Sequence, residues 1–478
     1  MFPPTSLFEN DAGATAMPLA ATLSQGRIVQ QGKNAIVIGA SMAGLLTARV
    51  LADFYEQVRI LERDPLESGT RQGVPQGRHV HVMLVGGANA IQSLFPALFD
   101  ELAQRGAVVA DFSTKDVFWF HHGVRKLPAT VPVKMYCMTR PFLEQQVRER
   151  LMSLPNIIWH NRSVQRLLAD EKQTRITGVS VEPLKAGKAA ETLEADLVID
   201  ASGRGSRASQ WLEELGYAKP SETSVGIHIG YASRFFERPK KIPPDWKILG
   251  VYTQAPTTRK YGVIQSVEGN RWLVTLAGNL RDYPPADEAG FLEFARQLDH
   301  PELYTWIHNA TPLSGIVTHR FPTHLWRRYE QLSRFPDGFL IVGDAVCSFN
   351  PIYGQGMSVS ALEAQALHRC LGEGFTRNTL WRRFFQSAAD IIKSPWMLGT
   401  GADFLYPQTE GTRPFATNFL NWYTSRLYRA CGSDPLIATR FYEVMNMLKG
   451  PTTIFGPRVF MHVLATAKSQ SQPGRANN

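Results

Sequence analysis

The hydrophobic positions of the chain change in period along its length. Short apolar runs predict buried strands at Ala35–Gly39 and Val58–Leu61, and the periodicity of Ser41–Tyr55 predicts a helix between them. A strand, a helix and a strand in such close succession favour a parallel sheet. Leu193–Asp200 is predicted as a third strand of the parallel type, and Met83–Arg105 as a helix broken near its proline.

From about Tyr217 to Phe335, short stretches of alternating apolar and polar residues are separated by proline, glycine and aspartate. This alternation predicts an antiparallel sheet, with one helix near Ala289–Leu298. Gly338–Val342 then returns to the buried-strand pattern, and Gly356–Leu371 to the helical one. A sheet that is begun, left and re-entered would let distant parts of the chain contact one ligand.

The composition is that of a globular protein of more than one packed unit, with 478 residues, 44% hydrophobic and 19% charged. The four cysteines form no CxxC pair, so neither a disulfide framework nor a metal site is expected, and a reducing cytoplasm fits best. The net charge is +9, and Gly411–Asn478 carries eight Lys or Arg residues against two acidic ones. No nucleic-acid motif accompanies this charge, which favours a solvated face or a weak peripheral attraction to anionic lipid at the inner face of a membrane.

A glycine turn joins the first predicted strand to its helix, with the sequence Gly39-Ala40-Ser41-Met42-Ala43-Gly44. Such a turn places a dinucleotide's pyrophosphate at a helix N-terminus, where free N–H groups favour negative charge. Glu62, 18 residues past Gly44 and followed by Arg63, is placed to accept from ribose hydroxyls. Because Ser41 replaces the middle glycine, a purely structural turn is the alternative, and the strand–helix–strand context favours the nucleotide site.

A second motif specifies the cofactor. Gly343-Asp344-Ala345, Asn350-Pro351 and Gly354-Gln355-Gly356-Met357 resemble the second FAD fingerprint of the aromatic-hydroxylase flavoproteins. That superfamily includes squalene and polyether epoxidases, geranylgeranyl reductases and flavin-dependent halogenases. The resemblance implies non-covalent FAD, with Asp344 on the ribityl hydroxyls and Pro351 beside the flavin ring. It places the backbone N–H groups of Gly354–Gly356 at the pyrimidine edge of the flavin, and Met357 is a further candidate for FAD binding.

Two further stretches extend the resemblance. Asp200-Ala201-Ser202-Gly203 stands where the family has its DG motif, which implies that Ser202 and Gly203 touch FAD; Ser202 replaces an Asp, so the docking of NAD(P)H stays open. Gly73–His81, GVPQGRHVH, is similar to bacterial epoxidase-like proteins and implies Arg78 at the pyrophosphate, with Arg140 as a second arginine near FAD. His79 and His81 are interpreted as a structural pair rather than as catalytic residues.

The resemblance implies an FAD-dependent monooxygenase of secondary metabolism, nearest to the epoxidase-like branch. NAD(P)H, or a partner, would reduce FAD, O2 would add at flavin C4a, and the hydroperoxide would transfer one oxygen atom to an apolar or aromatic small molecule. No protein nucleophile is required, and only Pro351 is a flavin-adjacent candidate for catalysis. The alternatives are a reductase or halogenase-like enzyme of the same superfamily and a non-catalytic flavin-binding protein. The halogenase pattern Trp-x-Trp-x-Ile is absent from the sequence.

The predicted fold class is therefore α/β plus α+β, with a Rossmann-like FAD-binding domain. We predict a disordered extension at 1–33, an FAD-binding domain at 34–216 and 337–375, an antiparallel substrate domain at 217–336 and a helical segment at 376–478. The helical segment is expected to cover the substrate pocket, and its aromatic residues suit either packing or a membrane interface. Candidates for the substrate wall, or for ordinary core, are Tyr231, Phe235, Phe236, Trp272 and Leu276.

Overall fold

The computed structural model describes residues 29–65, 75–182, 190–239, 244–374 and 379–469. Most of the predicted extension 1–33 and the Gly73–Val74 part of the GVPQGRHVH motif lie outside these residues.

The described strands are β1 (Gly32–Ile38), β2 (Tyr55–Glu62), β3 (Val108–Asp111), β4 (Val117–His121), β5 (Val124–Arg125), β6 (Lys134–Cys137), β7 (Ile157–Asn161), β8 (Val164–Ala169), β9 (Ile176–Val181), β10 (Glu191–Glu194), β11 (Leu197–Asp200), β12 (Glu222–Glu237), β13 (Ile248–Val251), β14 (Lys260–Val267), β15 (Arg271–Gly278), β16 (Val317–Arg327), β17 (Phe339–Ile341) and β18 (Cys347–Ser348). The described helices are α1 (Met42–Ala52), α2 (Val85–Leu94), α3 (Leu98–Gln104), α4 (Arg140–Met152), α5 (Ala208–Glu214), α6 (Glu288–Arg296), α7 (Glu302–Ile307), α8 (Gly356–Gly372), α9 (Leu380–Asp403), α10 (Thr417–Ala430), α11 (Pro435–Met445) and α12 (Pro457–Ser469).

A five-stranded parallel sheet has the order β17-β11-β1-β2-β7. Its central strand is buried from Ala35 to Ile38, as expected for a parallel strand covered on both faces. The late strand β17 pairs with β11, so the chain returns to this sheet after building the antiparallel one. The predicted fold class, with parallel and antiparallel sheets and C-terminal helices, is confirmed.

The predicted strand Leu193–Asp200 is two strands. Its first residues belong to β10, which pairs antiparallel with β9, and only β11 joins the parallel sheet. Asp196 lies between them, and its Oδ2 accepts from the backbone N–H groups of Lys33 and Asn34 at 2.8 and 3.1 Å. This carboxylate ties the chain to the start of β1, and the strand changes partner there.

The large sheet has eight strands in the order β18-β16-β12-β15-β14-β13-β4-β5. Its pairs are antiparallel except for β13 with β4. β4 and β5 come from the interval 34–216 that we predicted for the FAD-binding domain, and they join this sheet, whose other strands come mainly from the interval predicted for the substrate domain. The partner strand β13 lies more than a hundred residues later in the chain, and sequence periodicity carries no information about such a pairing.

The C-terminal helices bury most of their aromatic side chains. Trp381, Phe384 and Phe385 join the core of the parallel sheet, and Tyr423 belongs to a separate cluster that includes α10, α11 and α12. Ordinary helix packing therefore accounts for these rings. In the described part of the chain, no helix is both long enough and apolar enough to span a bilayer. Weak membrane contact stays a prediction.

Candidate functional site

In the glycine turn after β1, backbone segments of the chain approach one another closely. Gly39 has φ +99°, and a Cβ there would lie 2.7 Å from the carbonyl oxygen of Ala201. A Cβ on Gly44 would lie 1.9 Å from the carbonyl oxygen of Gly39. Both positions therefore require glycine, and the N-terminus of α1 is held beside the loop that carries Ser202 and Gly203.

Glu62 is buried, and its carboxylate is directed at the backbone of this turn. Its Oε2 accepts from the Ala40 N–H at 2.8 Å, and its Oε1 accepts from the Asp64 N–H at 3.0 Å. A ribose hydroxyl would share these oxygens with the backbone. The neighbouring Arg63 side chain is 69% exposed, with its Nε 3.9 Å from Asp64 Oδ1.

Asp200 orders the loop that follows β11. Its carboxylate is fully buried and accepts from the Ser202 N–H at 2.9 Å and the Ser206 hydroxyl at 2.6 Å, while burial raises its pKa. Ser202 is exposed, and Gly203 has φ +82° with open space where a Cβ would lie. The loop thus presents Ser202 and Gly203 at the surface beside Gly39, and their contact with FAD stays a prediction.

Arg140 brings the first helix and the second motif together. It is buried, its Nε donates to Glu144 Oε1 at 2.8 Å, and its Nη2 donates to Ser41 Oγ at 3.3 Å. Asp344 is partly buried; burial raises its pKa, whereas the guanidinium groups of Arg140 and Arg204 lower it. A guanidinium beside a helix N-terminus suits a phosphate, and a carboxylate a short distance away suits hydroxyl groups.

His79 and His81 anchor the segment before α2. His79 Nδ1 lies 2.7 Å from Ser233 Oγ on β12, and His81 Nδ1 lies 3.0 Å from the carbonyl oxygen of His79. Burial is the main cause that lowers their pKa values, to about 4 for His79 and about 3 for His81, so both are neutral at pH 7. Arg78 is exposed at the end of a 3-10 helix, and it is Arg140 that reaches Ser41.

The 350–356 loop, Asn350 to Gly356, leads into α8. Gly354 has φ +64°, and a Cβ there would lie 2.9 Å from Val82 Cβ, so the loop packs against the segment that follows His81. A Cβ on Gly356 would lie 3.6 Å from Asp344 Oδ1, which places that carboxylate near the start of α8, ahead of Met357. Pro351 is exposed, and Gln355 is buried.

The Gly343–Ala345 turn is fixed by a buried acid that sequence reasoning missed. Glu363 on α8 is 1% exposed and its Oε2 accepts from the Gly343 N–H at 2.7 Å. Among the described residues its Oε1 has no hydrogen-bond partner. Burial, opposed by the Gly343 N–H and reinforced by the charge of Asp344, raises the pKa of Glu363 to about 8. The side chain is therefore protonated at neutral pH.

Glu363→Gln should stabilise the apoprotein at pH 9 relative to the unmodified chain, with a distinctly smaller gain at pH 6. The folded pKa lies above the unfolded one, so the unmodified chain loses stability as pH rises from the unfolded pKa through the folded one. The amide keeps the acceptor for Gly343 and cannot ionise. Urea unfolding at both pH values measures the difference in unfolding free energy between the variant and the unmodified chain. The matched control is Glu373→Gln, which replaces an exposed acid just beyond α8. A gap that is the same at pH 6 and pH 9 would contradict this titration.

A buried polar network ties the 350–356 loop to the end of α9. His324 Nε2 lies 2.6 Å from Asp403 Oδ2, and the Tyr353 hydroxyl donates to Asp403 Oδ1 at 2.9 Å. The Asn350 side chain lies 3.2 Å from Asp403 Oδ1, and the Tyr231 hydroxyl donates to Asn350 Oδ1 at 3.1 Å. His324, Asn350 and Asp403 are at most 1% exposed. Of the predicted wall residues, only Tyr231 takes part in this network.

An aromatic pocket opens beside the same loop, between the large sheet and the C-terminal helices. It is lined by Trp119, His121, His122, Tyr252, Thr253, Ala255, Tyr261, Tyr353, Ala402, Leu405, Tyr406, Tyr428, Phe441 and Met445. Phe236, Trp272 and Leu276, predicted as wall or core, instead pack with α6 and α7 in a separate cluster. They are therefore core. The pocket wall comes from β4 and β14, the segment after β13 and helices α9, α10 and α11.

Similar proteins were found by sequence and by structure, and no family model matches the chain. Protein Rv3254 of Mycobacterium tuberculosis is 32% identical over 444 residues, which cover 88% of this chain and 91% of that protein. The kynurenine 3-monooxygenase of Salinispora tropica is 24% identical, covering 71% of this chain and 72% of that protein.

Two solved structures share the fold at low identity. The flavin-dependent brominase Bmp2 has a TM-score of 0.60 at 13% identity, covering 92% of this chain and 100% of that one. The 2-methyl-3-hydroxypyridine-5-carboxylic acid oxygenase has a TM-score of 0.54 at 17% identity, covering 78% and 91%.

Proposed function

We propose that the chain inserts one oxygen atom of O2 into an apolar or aromatic small molecule. It belongs to the same family as protein Rv3254 and is an FAD-dependent oxidoreductase. Hydroxylation and epoxidation are both within this proposal. The GVPQGRHVH stretch supports epoxidation, and the kynurenine 3-monooxygenase relative supports hydroxylation. NAD(P)H is the proposed electron donor.

The described residues fit FAD. Gly39 and Gly44 leave no room for a Cβ, and Arg140 reaches the N-terminus of α1. Burial raises the pKa of Asp344, near the start of α8, and the charges of Arg140 and Arg204 oppose this rise. Arg140 would hold the pyrophosphate, and Asp344 would hold the ribityl hydroxyls. When bound, FAD supplies the redox chemistry with reductant and O2, and the protein's residues orient the substrate and exclude water.

One observation supports oxygen transfer most directly: the aromatic pocket meets the 350–356 loop at Tyr353. That loop is the segment assigned to the flavin ring by resemblance. Rings from the large sheet and from the C-terminal helices surround the space, so a planar apolar molecule would be enclosed on several sides. Enclosure of this kind excludes water from the reacting atoms.

FAD should copurify with the protein and be released when the protein is denatured. The cofactor contacts proposed above are hydrogen bonds and ion pairs, which denaturation removes. Absorbance and thin-layer chromatography of the supernatant after heat or acid precipitation identify the flavin. A yellow chromophore that stays with the precipitate, or the absence of any flavin after reconstitution with FAD, would contradict this assignment.

Oxygen insertion is tested with the FAD-loaded protein and a panel of aromatic and polyene compounds. Anaerobic mixing with NADPH, and separately with NADH, should bleach the flavin absorbance. Turnover under 18O2 should then give a product with one 18O atom. A product oxygen that derives from water, or a flavin that no nicotinamide reduces and no compound turns over, would refute the proposal.

A further inference from the structure

Two histidines in the wall of the aromatic pocket have buried nitrogen atoms without partners. His121 ends β4, and His122 follows it in the turn to β5. Among the described residues, His121 Nδ1 and His122 Nε2 make no hydrogen bond. His122 is 4% exposed, and both histidines line the pocket. A buried polar nitrogen without a partner costs free energy, so these atoms point to a ligand that would pair with them.

The backbone at His122 supports a role beyond packing. His122 and Gly123 have φ of +53° and +76°, at the two central positions of a tight turn between β4 and β5. Such a turn favours Asn-Gly, because both central residues must adopt the left-handed conformation. Histidine adopts this left-handed conformation more often than most side chains do, but it remains uncommon there, and the position is compatible with a functional role.

A buried cation, which is not itself among the residues that line the pocket, acts electrostatically on both histidines. Lys126 is 4% exposed, its Nζ donates to the carbonyl oxygen of Tyr428 at 3.1 Å, and it lies 4.6 Å from the ring centroid of Phe441. Burial lowers its pKa, and burial, with the charge of Lys126 as a smaller contribution, lowers the pKa values of His121 and His122. Within the described ranges no carboxylate forms an ion pair with Lys126, although buried charges in proteins are normally paired.

We propose that Lys126, His121 and His122 form a subsite for an ionised oxygen on an aromatic ligand, such as a carboxylate or phenolate. This inference rests on the proposed function for the identity of the pocket and specifies the substrate class. The aromatic walls at Tyr252 and Phe441 would hold the ring, and the neutral histidines would donate N–H groups to the oxygen. The anion would supply the countercharge that Lys126 lacks in the fold. A neutral polyene would leave this cation and both nitrogens unpaired.

Two matched probes test the subsite in the FAD-loaded protein, without reductant. Isothermal titration calorimetry should show that 2-naphthoate binds more tightly than its uncharged amide, 2-naphthamide. Lys126→Met should weaken 2-naphthoate by about tenfold or more, the scale of one hydrogen bond to a charged group, and leave 2-naphthamide within roughly twofold. Lys134→Met, an exposed lysine on β6, is the control and should change neither affinity.

Methionine fills the space of the lysine stem and removes an unpaired charge, so Lys126→Met should still fold. His122→Asn is the second variant, because asparagine tolerates the left-handed backbone and removes the imidazole. It should weaken 2-naphthoate selectively as well. The subsite is overturned if neither probe binds, if the two bind equally, or if both variants weaken the two probes alike. These binding measurements involve no turnover. A failed oxygen-insertion assay would therefore not contradict the subsite, and a failed binding contrast would not contradict oxygen insertion.

Discussion

Asp344→Ala should weaken FAD binding by about 10- to 100-fold and leave the apoprotein folded, since one hydrogen bond to a charged group contributes about 1.5–3 kcal/mol. Burial raises the pKa of this carboxyl group, and among the described residues the charges of the Arg140 and Arg204 guanidinium groups offset part of the cost of its ionised form. Removing it relieves that cost in the apoprotein. Fluorescence quenching of FAD titrated with apoprotein measures the dissociation constant, and circular dichroism monitors the fold.

Two variants separate the charge of Asp344 from its shape. Asp344→Asn keeps the size and one acceptor, so its FAD affinity should lie between those of the alanine variant and the unmodified chain. Asp245→Ala removes a carboxylate that is 80% exposed and should leave FAD binding unchanged. An unchanged dissociation constant for Asp344→Ala would refute the ribityl contact, whatever the two controls show.

The sequence was most informative where a functional feature is local in the chain. Gly39 and Gly44 lie where backbone segments approach too closely for a side chain, and Gly343 and Gly354 have a positive φ with a neighbouring side chain within 3 Å of where a Cβ would lie. Requirements of this kind can be recognised in the sequence as glycines at fixed intervals. The periodicities of 2 and 3.6 residues likewise distinguished the antiparallel stretches from the helices, since each reports one buried face.

The features that sequence reasoning missed join residues that are far apart in the chain. Asp403 reaches Asn350 across 53 residues, and Tyr231 reaches Asn350 across 119. No local period marks an acid that will be buried, and Asp390 and Asp403 occupy the same helix with opposite exposure. The pairing of β4 with β13 was missed for the same reason, because β13 comes much later in the chain. The stretch His121-His122-Gly123 did carry a signal, a histidine where a tight turn favours asparagine.

Asp403 connects the C-terminal helix α9 to the loop assigned to the flavin ring, and its replacement should uncouple the two. In Asp403→Asn the amide presents one acceptor oxygen where the carboxylate presents two. At least one of the donors from His324, Asn350 and Tyr353 would then lack an acceptor. Each buried donor without an acceptor costs about 1–3 kcal/mol, and Asp403→Ala leaves all three. Urea unfolding should therefore rank the unmodified chain above the asparagine variant, and the asparagine variant above the alanine variant.

Asp403 is a positioning residue, so its loss should also change the bound flavin and not only the stability. A displaced 350–356 loop would alter the surroundings of the ring, which the absorbance maxima and fluorescence of bound FAD report. Turnover should fall by about 100-fold, the scale of a displacement of roughly 1 Å at a reacting centre, even with FAD saturating. Asp390→Asn, an exposed acid on the same helix, controls for the helix itself and should change none of these quantities. If Asp403→Asn lost stability while the flavin spectrum and turnover stayed unchanged, the network would only stabilise the fold, and α9 would not position the loop.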